Sequence, residues 1–164
     1  MNCELLRPFL LLPFACLALA ASASSDWPLW RGPSQNGSAS PGQALPLDWS
    51  ESKNVIWKTE IPGRGHGSPI VVGDRVILLT SDENKKTQSV LCLNRSTGKL
   101  LWTTQIHRGG FMRLNKKGTH ASGSPASDGK RLYVNFLNAG AAHTTALSME
   151  GKILWQTRIT DYVV

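Results

Sequence analysis

Cysteine is scarce: the chain has three, and two of them, Cys3 and Cys16, fall in an apolar N-terminal stretch. Without that stretch Cys92 stands alone, which excludes an intramolecular disulfide and any cysteine-based zinc site. Its neighbours Val90, Leu91 and Leu93 mark it as a small core residue. Runs of like charge are missing too. Eighteen Lys and Arg against eleven Asp and Glu give a net +7, but they are scattered singly or in pairs such as Lys85-Lys86 and Lys116-Lys117. That pattern argues against a nucleic-acid-binding arm and leaves only weak attraction to anionic surfaces. Helical periodicity never exceeds two turns beyond the N-terminus. No HExxH, nucleophile elbow or phosphate-binding glycine loop is present, so the usual signatures of hydrolases and nucleotide enzymes are absent.

What the N-terminus does contain is an export signal pattern. Arg7 precedes an apolar run from Phe9 to Ala20, and two A-x-A sites, Ala18-Leu19-Ala20 and Ala21-Ser22-Ala23, come before polarity rises at Ser24-Ser25-Asp26. The apolar run falls short of the ~20 residues of a membrane span, so residues 1–23 are expected to be a removable signal peptide and no transmembrane span is expected after it. Lipid modification at Cys16 fits poorly, because apolar residues continue past it. Residues 24–53 form a Trp/Pro-rich lead.

Self-comparison organises the rest. Ser68-Pro69-Ile70-Val71-Val72-Gly73-Asp74-Arg75 returns as Ser124-Pro125-Ala126-Ser127-Asp128-Gly129-Lys130-Arg131, at an offset of 56. Thr97-Gly98-Lys99-Leu100-Leu101-Trp102 returns as Glu150-Gly151-Lys152-Ile153-Leu154-Trp155, at an offset of 53. Each unit reads as four short strands: 69–72, 75–81, 89–94 and 99–106, then 125–127, 131–137, 143–148 and 152–159. Gly73-Asp74 and Asp128-Gly129 supply one hairpin turn, and Gly98 and Gly151 another, where φ > 0 is expected. Four antiparallel strands per 50-odd residues is the arithmetic of a propeller blade. A further strand, 54–61, matches the fourth strand of each unit, with Trp57 in the place of Trp102 and Trp155. It is expected to complete a blade whose other strands come from the far end of the chain. The fold expectation is therefore an all-β partial β-propeller over 54–164, with blades at 68–106 and 124–159 and one orphan closing strand.

The stretch Cys92-Leu93-Asn94-Arg95-Ser96-Thr97-Gly98-Lys99-Leu100-Leu101-Trp102 resembles the tryptophan-docking repeat of pyrroloquinoline-quinone (PQQ) propellers, Ala-x-Asp-x-x-Thr-Gly-Lys-x-x-Trp. The copy ending at Trp155 is one residue shorter and has Ser148 at the acidic position. The start Trp27-Pro28-Leu29-Trp30-Arg31-Gly32-Pro33 is similar to the mature N-terminus of exported bacterial members. The resemblance implies that Trp57, Trp102 and Trp155 pack on neighbouring blades. It also spans two functions: quinoprotein dehydrogenases, and cofactor-free scaffolds similar to the BamB-type lipoprotein of outer-membrane β-barrel assembly. A dehydrogenase needs a carboxylate base, Ca²⁺ held by acidic and amide oxygens, and cations for the quinone carboxylates. No segment presents that grouping, so no cofactor, catalytic or metal residue is evident. PQQ with calcium belongs to the alternative in which such residues lie on further blades.

Binding residues are expected in loops at one end of the channel. His66 and His120 precede the first strand of each unit, in Gly65-His66-Gly67-Ser68-Pro69 and Thr119-His120-Ala121-Ser122-Gly123-Ser124-Pro125. They either face one funnel or hydrogen-bond the backbone as ordinary loop histidines; no carboxylate stands at a fixed spacing from either. Arg64 lies beside the first. The connection 107–119 carries Arg108, Arg113, Lys116 and Lys117 with Phe111 and Met112, and its length marks it as functional or mobile. The resulting expectation is an exported, non-enzymatic propeller of the periplasm or cell envelope that binds an envelope protein or glycan through these loops, as the N-terminal part of a longer ring.

Overall fold

The computed structural model describes residues 26–43 and 45–162. The expected signal peptide lies outside the described residues. Eight strands form two separate four-stranded antiparallel sheets, each a simple meander. The first holds β1 (Ile70–Val72), β2 (Arg75–Asp82), β3 (Thr87–Asn94) and β4 (Leu100–Arg108); the second holds β5 (Ala126–Ser127), β6 (Arg131–Asn138), β7 (Ala141–Ser148) and β8 (Ile153–Asp161). Among the described residues no helix is long and apolar enough to cross a membrane.

Alternation drives the packing. Along β6, Leu132, Val134 and Phe136 are buried while Arg131 and Asn135 are exposed, the two-residue period of a sheet with one face against a core. They meet Ile77, Leu79, Val90 and Cys92 of the first sheet, so the main core lies between the two blades. Cys92 is fully buried and unbridged. Burial pushes its thiol up to about 11, with Arg75 opposing weakly, as expected of a packing residue.

Hairpin chemistry follows the sequence. Gly73, Gly98, Gly129 and Gly151 all have positive φ, between 54° and 85°. Asn94 Oδ1 accepts the amides of Ser96 and Thr97 at 3.1 and 2.9 Å. In the second blade Ser148 Oγ takes over, accepting the amides of Glu150 and Lys152 at 3.2 and 3.3 Å. The two turns therefore tolerate different residues at the acidic position of the motif.

Tryptophan docking is realised twice. Trp57 Nε1 donates to Arg95 O (2.7 Å) and Thr59 Oγ1 to Gly98 O (2.8 Å). One blade on, Trp102 Nε1 donates to Met149 O (3.1 Å) and Thr104 Oγ1 to Gly151 O (2.6 Å). A Cβ on Gly98 or Gly151 would stand 2.5 or 2.6 Å from the indole, so each ring lies flat on bare backbone. Trp155 and Thr157 repeat the pair at the same spacing, but Trp155 is 45% exposed and touches Tyr133 of its own sheet.

Residues 54–61 join no ladder among the described residues, and the blade that the segment is expected to complete is not among them; the segment is held to the turn of the first blade through Trp57 and Thr59. The connection expected at 107–119 begins later, because β4 runs on through Arg108: His107 pairs with Gln88 and Arg108 with Thr87. The lead is ordered by the inner strands. Trp27 exchanges both main-chain bonds with Val71 (2.8 and 2.9 Å), and the next carbonyl, Pro28 O, accepts from Ser127 of β5 at 2.8 Å. One residue step of about 3.8 Å thus takes the lead from one blade's first strand to the next, so these two strands converge there.

Candidate functional site

The loops at one end of the blades form a crown. Gly109 N–H donates to Lys86 O and Ala139 N–H to Gly110 O, both at 2.7 Å. The β2–β3 turn, the β6–β7 turn and the connection between blades are thereby joined. Beneath them Gln88, fully buried in β3, reaches across to the second blade. Its Nε2 donates to His120 O (2.7 Å) and Leu137 O (3.0 Å), and its Oε1 accepts from Asn138 Nδ2 (3.0 Å), which also donates to Gly109 O at 2.8 Å. The Gln88 amide has partners for both its nitrogen and its oxygen, and the Asn138 nitrogen has two; a buried network paired in this way rigidifies a junction.

His120 is the hub above it. Its ring stacks on Phe111 with centroids 3.8 Å apart. Nδ1 meets Glu83 Oε1 and Nε2 meets Met112 O, each at 2.9 Å. Both partners are acceptors, so both bonds form only when both ring nitrogens carry hydrogen. Glu83, from the β2–β3 turn, and the interblade connection are thus pinned to one ring.

Beside this hub lies a cavity of about 330 Å³. Met112, Leu114, Leu137 and Tyr162 give it an apolar lining, and Arg113 and Asn115 stand among them. Tyr162 is fixed by its N–H to Gly140 O at 2.8 Å. Arg108 at the end of β4 and the loop cations Arg113, Lys116 and Lys117 form no ion pair among the described residues. Nearby carboxylates are otherwise engaged: Glu83 on His120, and Asp82 on the amides of Asn84 and Lys85 at 3.0 and 2.9 Å. Those amide bonds hold the Asp82 carboxyl below the ordinary carboxylate range, the Lys85 amide most of all.

The residues singled out from sequence separate here. His120 and Arg113 sit at the cavity. His66 is exposed and contributes its amide to Ala121 O at 3.1 Å, and its ring does not stack on that of His120, which lies on Phe111. Arg64 joins Ser81 through main-chain bonds in both directions, 2.8 Å each, with its side chain outside the cavity. Arg108 ends β4. The absence of a carboxylate partner expected for both histidines holds for sequence spacing and fails in space for His120, whose partner Glu83 comes from the neighbouring blade. Glu83, Gln88, Leu114 and Tyr162 escaped the sequence reading. Strand counting alone could have placed Glu83, because second-to-third-strand turns and blade-to-blade connections share one end of a meander.

A histidine pair bridges the blades. His107 on β4 lies edge-on to Phe136 and His143, with centroids 6.1 and 5.0 Å away, and its Nε2 is buried without a partner. Burial, and to a lesser degree His143, holds its pKa below the usual 6.5.

No cluster of three or more His, Cys, Asp or Glu suited to a metal occurs among the described residues, and the crown carboxylates Glu83 and Asp82 are committed to His120 and to turn amides.

Comparison with known proteins gives two findings. A family model described as outer membrane protein assembly factor BamB matches residues 40–161. The crystal structure of BamB from Moraxella catarrhalis is similar at 20% identity and a TM-score of 0.48, covering 63% of this chain and 28% of that one. The chain therefore spans less than a third of that protein's length. No curated protein matches the sequence.

Proposed function

The chain belongs to the family described as outer membrane protein assembly factor BamB, and from that premise we propose that it is an exported binding scaffold of the bacterial periplasm or cell envelope. Its partner engages the loop crown, and it works without a quinone. One observation carries the reading: a formed cavity, held rigid by Gln88 and His120, is lined by Arg113 and belongs to a connection whose cations form no ion pair among the described residues. Preorganised loops with spare charge suit association, because the ordering cost of the loops is already met in the fold. Export is supported by the signal pattern of residues 1–23.

A photo-reactive residue introduced at Lys116, on the crown, tests this against one at Lys130, on the hairpin between β5 and β6. In intact envelopes the Lys116 probe is expected to yield a discrete adduct and the Lys130 probe none. Equal labelling from both positions, or from neither, overturns the reading. Addition of PQQ and Ca²⁺ to the purified chain is expected to produce no bound-quinone absorption band; stoichiometric quinone binding would replace this reading with a dehydrogenase.

A further inference from the structure

We propose that the cavity beside His120 is a docking pocket for an acidic peptide segment that inserts one bulky apolar side chain. This rests on the scaffold reading and specifies the chemistry of its partner.

The cavity supplies two complementary features. Its lining by Met112, Leu114, Leu137 and Tyr162 is apolar, and about 330 Å³ is at the small end of ligand clefts, which run from about 300 to 1,000 Å³. That size suits a side chain with its flanking backbone better than an extended cofactor. Arg113 lines it, Lys116 and Lys117 follow on the same connection and Arg108 ends β4 just before it; none of the four forms an ion pair among the described residues. Carboxylates placed on either side of the anchor would meet these cations, and complementary charge raises the encounter rate and fixes register.

Of the aromatic rings at the site, Phe111 has one face covered by the His120 ring and Tyr162 alone is left exposed, too few for the stacking of successive bases of a single strand. The pocket is also preformed. His120 is held by Glu83, Met112 O and Phe111, and the loop carbonyl beneath it by Gln88, so a ligand need not order the loop on arrival.

The test uses the full chain and a fluorescein-labelled peptide, Asp-Glu-Phe-Asp-Glu, read by fluorescence anisotropy. Saturable binding is expected. Replacing the peptide's Phe by Ala, or making Leu114→Asp in the protein, should weaken it about tenfold or more, as for a central anchor. Arg113→Glu should weaken it comparably and flatten its salt dependence, whereas Lys130→Glu at the opposite end should leave it unchanged. Leu114, Arg113 and Lys130 are all exposed, and unchanged circular dichroism and melting temperature would establish that each variant is folded. Absence of saturable binding, indifference to Leu114→Asp, or equal binding of the Ala peptide and of polygalacturonate overturns the proposal. If the Lys116 probe still captures an envelope partner that the peptide fails to displace, the peptide chemistry falls and the scaffold reading stands. If the probe captures nothing, the scaffold reading falls by its own test.

Discussion

At the scale of single residues, the glycines of the two docking turns carry more than conformational freedom. Gly73 and Gly151 both have positive φ, but a Cβ on Gly73 meets nothing within 4 Å, whereas one on Gly151 stands 2.6 Å from the Trp102 indole. Gly73→Ala should therefore cost only the left-handed backbone strain, about 1–2 kcal/mol. Gly151→Ala adds displacement of a docked indole and should cost about 3 kcal/mol or more. Urea unfolding of both variants measures the difference; equal losses would show that the indole does not rest on the turn. Gln88 makes a second case. Gln88→Met keeps the volume but strands the carbonyls of His120 and Leu137 and loosens Asn138. With about 1–3 kcal/mol for a buried group left unpaired, a loss of about 2–4 kcal/mol is expected by the same measurement, and a near-neutral result would mean that water replaces the amide.

At the scale of elements, the junction between β4 and the second blade should be sensitive to acid. His107 is buried with an unpartnered nitrogen, next to His143 on β7. The other charged groups on β3, β4, β7 and β8 are Arg108 beside it, and Arg158 and Asp161 on β8, paired with each other; β6, which brings Phe136, carries Arg131 at its far end. Because its folded pKa lies below the unfolded value of 6.5, the unfolded chain binds the proton more readily. The stabilisation from neutral His107 is thus fully present above about pH 6.5 and is lost as pH falls towards the folded pKa, with a slope of at most about 1.4 kcal/mol per pH unit. Denaturation midpoints between pH 7.5 and 5 should decline in the parent and decline less in His107→Leu; parallel curves would assign the acid sensitivity elsewhere. None of this junction was visible in the sequence, where His107 reads as the first residue of a loop. The strands themselves were legible, since alternating residues such as Leu132, Val134 and Phe136 and the turn glycines announce a meander with bounds good to a residue or two. The crown was not. His120 and Arg113 stood out as unusual loop residues, but Glu83 and Tyr162 reach them only through the stacking of one blade on the next, and pairings across that interface leave no fixed spacing in the chain. The segment 54–61 has the pattern of a strand and joins no ladder among the described residues, because pattern alone does not supply the main-chain neighbour that a strand requires.

At the scale of the whole molecule, the asymmetry of the two sheet faces sets the expected behaviour in solution. The core is confined to the space between the blades, while every residue of β8 is exposed. Trp155 is 45% exposed and Ile159 59%, and the lead adds Ile56 at 87% and Leu47 at 97%. Apolar surface of this extent beside an unpaired outer strand is the usual substrate for intermolecular pairing. The spacing of Trp155 and Thr157 repeats that of Trp57 and Thr59 and of Trp102 and Thr104, pairs that each close on a glycine turn. The indole of β8 is therefore shaped for the same kind of contact and has no glycine turn against it among the described residues. The 164-residue chain on its own should accordingly self-associate with rising concentration in sedimentation velocity, and Trp155→Glu combined with Ile159→Lys should shift it towards monomer. The docked tryptophans provide the contrast: Trp102→Ala should destabilise the fold, by about 3–5 kcal/mol for a large aromatic lost from a packed site, whereas Trp155→Ala should leave unfolding of the monomeric chain nearly unchanged. If both tryptophans prove equally costly in dilute solution, β8 is already covered within the molecule, and the outward face inferred for it is wrong.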